Sequence, residues 1–320
     1  MSAGARFETD FAAAHAEAQA RAANSLRSFL FVPAASEKLL ASAVGKSSDA
    51  VILDLEDGTH PSSRCEARRR LAGSIAQVRS VGKRAAVRIN ADWLTAFEDL
   101  RAAVVPGIDL LVLPKVEHPR DVQVIEQLVS ALENEQDVAA GHTRFLLQIE
   151  SALALPRLYD IAAASPRNFG MMLGSEDFSL DCGALPTFET LLAPSLMVLH
   201  AARAAGIQPI GFVASIADLG SEAEFRQVLQ QARALGFRSA VVVHPKFVEA
   251  VNESFTPSAA EVAHAKKVVA EFESAFSQGQ GAIRVDGQMV DKPVYRRALE
   301  VAQSAILGGK SAVPALGDRL

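Results

Sequence analysis

Short apolar runs recur along this chain, each followed by polar residues and separated from the next by a longer stretch with apolar positions at helical spacing. The runs are Phe29–Val32, Ala50–Leu55, Ala85–Ile89, Leu110–Leu113, Phe145–Ile149, Phe169–Leu173, Ile210–Val213 and Ala240–Val243. Strands this apolar are buried on both faces, as in a parallel sheet covered by helices. The helical patterns between them are Glu37–Val44, Ser63–Val81, Trp93–Val104, Arg120–Glu135, Pro156–Ala164, Glu189–Ala205 and Glu222–Leu235. Gly206 and Gly236 stand where a left-handed cap would end a helix before the next strand.

Strand and helix alternate throughout, which predicts an α/β fold of the TIM (β/α)8 barrel type. Closing the sheet removes both edges and keeps every crossover of one hand; an open eight-stranded sheet is the alternative. Two further helices, Ser258–Ser277 and Pro293–Leu307, follow the eighth strand, joined by the polar, glycine-rich stretch Gln278–Asp291. The expected organisation is an N-terminal extension over residues 1–25, the barrel over 26–255, and a helical tail over 256–320 that covers the barrel mouth or reaches a neighbouring subunit.

In such a barrel the active site lies at the C-terminal strand ends, so the first polar residues after each run form one ring. That ring contains Asp54, Glu56 and Asp57, then Arg88 and Asn90, Lys115 and Glu117, Glu150, Glu176 and Asp177, Asp218, and His244. So many carboxylates at one mouth call for a compensating cation. Oxygen donors without a histidine or cysteine cluster point to magnesium, with manganese the second choice.

Each residue also has a purely structural reading. Asp218 could cap the next helix, Lys115 and Glu117 could pair with each other, Arg88 could bridge to a ring carboxylate, and His244 could be a hydrogen-bonding residue. Glu150 precedes no obvious basic partner, and Gly174 before Glu176 and Asp177 reads as a site loop that lets a ligand approach the backbone.

Composition narrows the class further. Of 320 residues 49% are hydrophobic and 22% charged, enough for a large core, and the net charge of −5 comes without a long basic run, which argues against a nucleic-acid partner. The cysteines, Cys65 and Cys182, form no zinc or redox motif and fit a reducing cytoplasm. No apolar stretch approaches the ~18 residues of a membrane span, and the Ala-rich start carries scattered charges rather than a signal-peptide core.

Eight segments, in order, resemble the citrate lyase beta subunit and its malyl-CoA and citramalyl-CoA lyase relatives, within the HpcH/HpaI aldolase superfamily. They are Arg27–Pro33, Leu53–Asp57, Val87–Asn90, Leu113–Glu117, Ile149–Ala152, Gly174–Phe178, His244–Pro245 and Met289–Asp291. The resemblance implies that Glu150 and Asp177 are the metal ligands, that Arg88 binds substrate, and that Glu56 and Asp57 hydrogen-bond metal-bound water. Lys115 and Arg27 are further candidate substrate contacts beside Arg88 and Glu150. Asp291 resembles the family's tail aspartate, which enters the active site of an adjacent subunit, so a homo-oligomer, typically a trimer, is implied. Ala154, where relatives commonly have glycine, and the loosely matching Phe212–Asp218 depart from the family pattern in a way that bears on specificity.

The activity implied is cleavage or formation of a 3-hydroxyacyl-CoA thioester, such as citramalyl-CoA, malyl-CoA or a citryl thioester. The other product or co-substrate is pyruvate, glyoxylate or oxaloacetate. Coenzyme A enters as part of the substrate; an acyl-carrier partner is conceivable but nothing in the chain indicates one. A magnesium-dependent aldolase acting on free 2-ketoacids and a non-catalytic scaffold subunit are the competing readings.

Overall fold

The computed structural model describes residues 3–23 and 25–308. They form two compact units: Leu26–Phe255, and a second that joins the N-terminal helix to the segment from Thr256 onward.

The first unit holds β1 (Ser28–Pro33), β2 (Ala50–Asp54), β3 (Arg84–Arg88), β4 (Leu110–Leu113), β5 (Arg144–Ile149), β6 (Asn168–Leu173), β7 (Gln208–Ile210) and β8 (Ala240–Val242). All pair in parallel, in the order β7-β6-β5-β4-β3-β2-β1-β8. A parallel bridge between Ile210 and Ser239, with Gly211 N donating to Ser239 O at 2.9 Å, joins the two ends. The sheet thus closes into the expected (β/α)8 barrel, and the open-sheet alternative is excluded.

Closure sorts each strand's side chains by parity. Phe29, Ile52, Ala86, Val112, Leu146 and Val241 fill the barrel interior. Their neighbours Leu30, Leu53, Val87, Leu111, Leu147 and Val242 pack outward against helix residues such as Leu71, Leu100 and Leu229. Two positions beyond Ile52, Ala86 and Leu146 stand Asp54, Arg88 and Gln148, so the interior changes from apolar to ionic at the C-terminal end. At the N-terminal end Arg84 Nη1 donates to Asp109 Oδ1 at 2.7 Å and Arg27 Nη2 to Asp49 Oδ1 at 2.7 Å.

Local departures from the expected pattern have local causes. β7 stops at Ile210 because Gly211 takes φ 139°, outside strand geometry. The helix expected from Pro156 begins as a 3-10 turn, Ala152–Arg157, and continues as Leu158–Ala162. The site loop after Gly174 contains a short helix, Ser175–Asp181, and an unforeseen helix, Val248–Phe255, follows β8.

In the second unit, helix Ala3–Ala23 packs with helices Ala259–Ser277 and Lys292–Gly308. Phe11 sets its edge against Phe276 and Tyr295, with ring centroids at 5.5 and 5.1 Å. Between the two C-terminal helices, an antiparallel hairpin of Ile283–Val285 and Gln288–Val290 occupies part of the polar, glycine-rich stretch.

Candidate active site

The parallel register sets Asp54 directly opposite Arg88, one on β2 and the other on β3. Arg88 Nε donates to Asp54 Oδ1 at 2.7 Å and Nη2 to Oδ2 at 2.6 Å, a two-point clamp between side chains 8% and 4% exposed. The N–H groups of Glu56 and Gly58 also donate to Asp54, at 3.0 and 2.8 Å, and hold its carboxylate in the turn after β2. The guanidinium lies over the Phe31 ring, 4.8 Å from its centroid. Burial works against the Arg88 charge, but Asp54, Glu56 and Glu150 together raise its pKa.

Glu56 stands between two cations. Its Oε1 accepts from Lys115 Nζ at 3.0 Å, and its Oε2 lies 3.0 Å from Arg88 Nη1. The second contact is an ion pair without hydrogen-bond alignment, so Oε2 remains a buried acceptor with an unused lone pair. Burial, the largest effect, raises the Glu56 pKa. Lys115 adopts φ 50°, an uncommon left-handed conformation, while its N–H donates to Glu150 Oε2 at 2.7 Å.

Glu150 is 3% exposed and also accepts from Gln148 Nε2 at 2.6 Å. Burial first, and then the charges of Glu56 and Asp177, push its pKa up to about 8, against the lowering effects of the Lys115 N–H and Arg88. Gly174 makes this placement possible. A Cβ there would lie 2.6 Å from Glu150 Cγ and 2.7 Å from Oε1, so the glycine makes room for the carboxylate, and it also lines the cavity into which that carboxylate faces.

Asp54, Asp57, Arg88, Glu150, Glu176 and Asp177 all line one cavity of about 510 Å³. Lys115 stands nearby, its Nζ 4.0 Å from Asp177 Oδ1. Asp57 is exposed, Asp177 lies in the first turn of helix Ser175–Asp181, and Glu176 accepts from Ser215 Oγ at 2.7 Å.

Other candidates are placed elsewhere or act structurally. Arg27 precedes β1 and chelates Asp49 at the opposite, N-terminal end of the barrel, so its reading as a substrate contact is corrected. Lys115 pairs with Glu56 rather than Glu117. Asp218 is exposed, and the cap of the following helix is Ser221 instead. Asn90 Nδ2 donates to Asp99 and to Leu55 O, and His244 Nδ1 accepts from Lys246 N. Asp291, in the other unit, accepts from Val294 N at 3.2 Å at the start of the last helix. Asp54 and Gln148 are site members that received no role from sequence. For Asp54 the usable signal was a strand-end arginine that had to meet a carboxylate on the neighbouring strand.

A family model described as HpcH/HpaI aldolase/citrate lyase matches residues 27–245. The chain belongs to this family. The chain is 34% identical to the citrate lyase subunit beta of Escherichia coli K12 over 299 residues, covering 92% of this chain and 98% of the relative. It is 31% identical to the L-malyl-CoA/beta-methylmalyl-CoA lyase of Cereibacter sphaeroides, over 85% of this chain and 91% of that one. Among solved structures, CitE of Mycobacterium tuberculosis, in complex with magnesium, acetoacetate and coenzyme A, superposes with a TM-score of 0.67 at 26% identity, covering 88% and 99% of the two chains. The resemblance read from the eight segments is thereby borne out, and this member of the HpcH/HpaI family is an enzyme of the carbon–carbon lyase kind.

The family's chemistry bears on the donor set. No group of three or more His, Cys, Asp or Glu side chains among the described residues is arranged as a ready-made metal cage. The donors nonetheless suit a hard cation held by few protein ligands: a buried carboxylate whose ionisation is suppressed by its neighbours, a second carboxylate on the same cavity, and an unmatched acceptor on Glu56.

Proposed function

We propose that the chain is a magnesium-dependent lyase that cleaves, or forms, a 3-hydroxyacyl-CoA thioester at the bond between an acetyl thioester and a 2-ketoacid. The observation that carries this reading is the buried Glu150 carboxylate, destabilised by Glu56 and Asp177 and set in one cavity with the clamped Arg88. Such an arrangement gains most from a cation and an anionic ligand arriving together. The magnesium, acetoacetate and coenzyme A bound by the Mycobacterium tuberculosis relative support the same choice of ligands.

In this reading Glu150 and Asp177 would hold the ion, and Glu56 and Asp57 would accept hydrogen bonds from the groups around it. Magnesium, when bound, supplies a Lewis acid for the ketoacid's carbonyl oxygen. Arg88 offers the guanidinium N–H groups left over by Asp54 to the ketoacid carboxylate or the enolate oxygen, where charge builds up. Because Asp54 and Phe31 already fix its orientation, it need not reorganise as that charge develops. Lys115 steadies Glu56 and adds positive charge beside Asp177. Asp291 is the acid that protonates the enolate carbon, delivered from a neighbouring subunit of a homo-oligomer. Cytoplasmic location accords with Cys65 and Cys182, both exposed and unpaired.

The test is a mass-spectrometric assay of the purified protein against malyl-CoA, citramalyl-CoA and citryl-CoA, with and without magnesium. Magnesium-dependent release of acetyl-CoA is expected. Turnover of free hydroxy-ketoacids without any thioester would favour the aldolase reading and overturn this one.

A further inference from the structure

The cavity that holds Glu150 and Arg88 has two unlike sides. One is ionic, with Asp54, Asp57, Arg88, Glu150, Glu176 and Asp177; the other is apolar, with Phe31, Met172, Phe212, Ile216 and Val241. The apolar side reaches deep into the barrel. Met172 and Val241 are each 5% exposed and belong to the cluster that fills the barrel interior, against which Phe31 and Ile216 pack. A thioester must enter from solvent, past the exposed Leu39 and Val243 at the rim. The buried wall therefore faces the smaller substrate, the ketoacid at the metal end.

Charge makes the choice sharper. Among the described residues, Arg88 is the only lysine or arginine in this lining, and Asp54 and Glu56 already engage it. One ketoacid carboxylate can share that guanidinium and the cation at Glu150. Lys115 stands outside this lining with its ammonium held by Glu56 at 3.0 Å, so a second carboxylate would have to be buried against methyl and phenyl groups or beside Asp57 and Glu176.

Resting on the lyase reading above, we infer that this site selects a monocarboxylic 2-ketoacid whose remaining substituent is an apolar chain, methyl or longer, with Met172, Ile216 and Val241 setting the preference. In the condensing direction the acetyl methyl carbon gives up a proton, and the electron pair left behind forms the bond to the ketoacid's carbonyl carbon. The carbonyl oxygen takes up a proton, so the addition needs no oxidant or further reactant.

The experiment is condensation of acetyl-CoA with glyoxylate, pyruvate, 2-oxobutanoate, 2-oxopentanoate and oxaloacetate in the presence of magnesium, reading the acyl-CoA product by mass spectrometry. The kcat/KM is expected to rise about tenfold or more from glyoxylate to the best apolar ketoacid. Oxaloacetate should fall to about one-hundredth of that best value or below. Oxaloacetate as good as the best monocarboxylic ketoacid would overturn the inference. Calorimetric binding of the same ketoacids, with magnesium and no thioester, keeps the two readings apart. If nothing is turned over, the lyase reading fails, while the order of affinities still decides selectivity. Ile216→Phe, a change on a half-buried loop, should shift the ratio of 2-oxobutanoate to pyruvate about tenfold towards pyruvate; an unchanged ratio in both turnover and binding would remove Ile216 from the wall.

Discussion

Arg88 and Asp54 meet side by side on adjacent strands, with two nearly parallel hydrogen bonds of 2.7 and 2.6 Å between buried side chains. The pair fixes the plane of a guanidinium that lines the cavity, and it does so through the register of β2 and β3.

Arg88→Lys should remain folded yet lose about a hundredfold or more in kcat/KM, because an ammonium cannot reproduce the planar fork gripped by Asp54. Asp54→Ala should be worse for stability, by about 3–5 kcal/mol, since it removes both hydrogen bonds that hold a buried cation and leaves it only the Glu56 contact. Chemical denaturation and steady-state kinetics on both variants separate the two effects. An Arg88→Lys enzyme with wild-type kinetics would reduce the clamp to scaffolding.

Glu150→Gln and Asp177→Asn should each abolish magnesium-dependent binding of pyruvate in a calorimetric titration, with a circular dichroism spectrum like the parent's. Chelation of the metal should have the same effect on the parent. Retained magnesium dependence in both variants would reject the ligand assignment.

The Glu150 carboxyl, pushed up to about 8 in the folded chain, has an ordinary value of about 4.3 when unfolded. Between those values the folded protein holds a proton that the unfolded chain has released. This stabilisation is full below the unfolded value and is lost as pH rises through about 8. Metal-free protein should therefore lose thermal stability over that window relative to Glu150→Gln, which does not titrate there. Magnesium should restore it, and should itself bind more tightly as pH rises to about 8. Melting curves of parent and variant against pH check the sign, which the opposite trend would reverse.

Gly174→Ala should lower magnesium affinity and cost about 1–3 kcal/mol of stability, the usual effect of overpacking a filled interior. The backbone there is unstrained at φ −85°, but the added Cβ would sit 2.6 Å from Glu150 Cγ and displace the carboxylate. Parallel melting and metal-binding measurements check the two effects, and unchanged magnesium affinity would show that Glu150 is not displaced.

Mixed oligomers test Asp291. Inactive Asp291→Asn and Glu150→Gln proteins, combined under verified subunit exchange, should regain part of the parent's activity if the aspartate serves a neighbour's metal site. No recovery after exchange would mean that Asp291 serves its own chain or only caps the last helix.

The sequence by itself determined the eight strands, their alternation with helices, and the ring of polar strand ends that includes Glu56, Arg88, Glu150 and Asp177. These features follow from local hydrophobic runs and from the rule that a barrel gathers its strand ends at one mouth. Tertiary structure alone decided which partner each charge takes. Arg88 meets Asp54, 34 positions away, Lys115 meets Glu56, 59 positions away, and Arg27 is held by Asp49 at the far end of the barrel. A strand buried on both faces carries no alternation to reveal which side chains point inward, and the energy of an ion pair depends on distances set only when the sheet closes. For the same reason the perturbed Glu150 could not be read from its neighbours in the chain: the charges that act on it, Glu56, Asp177 and Arg88, stand on other strand ends.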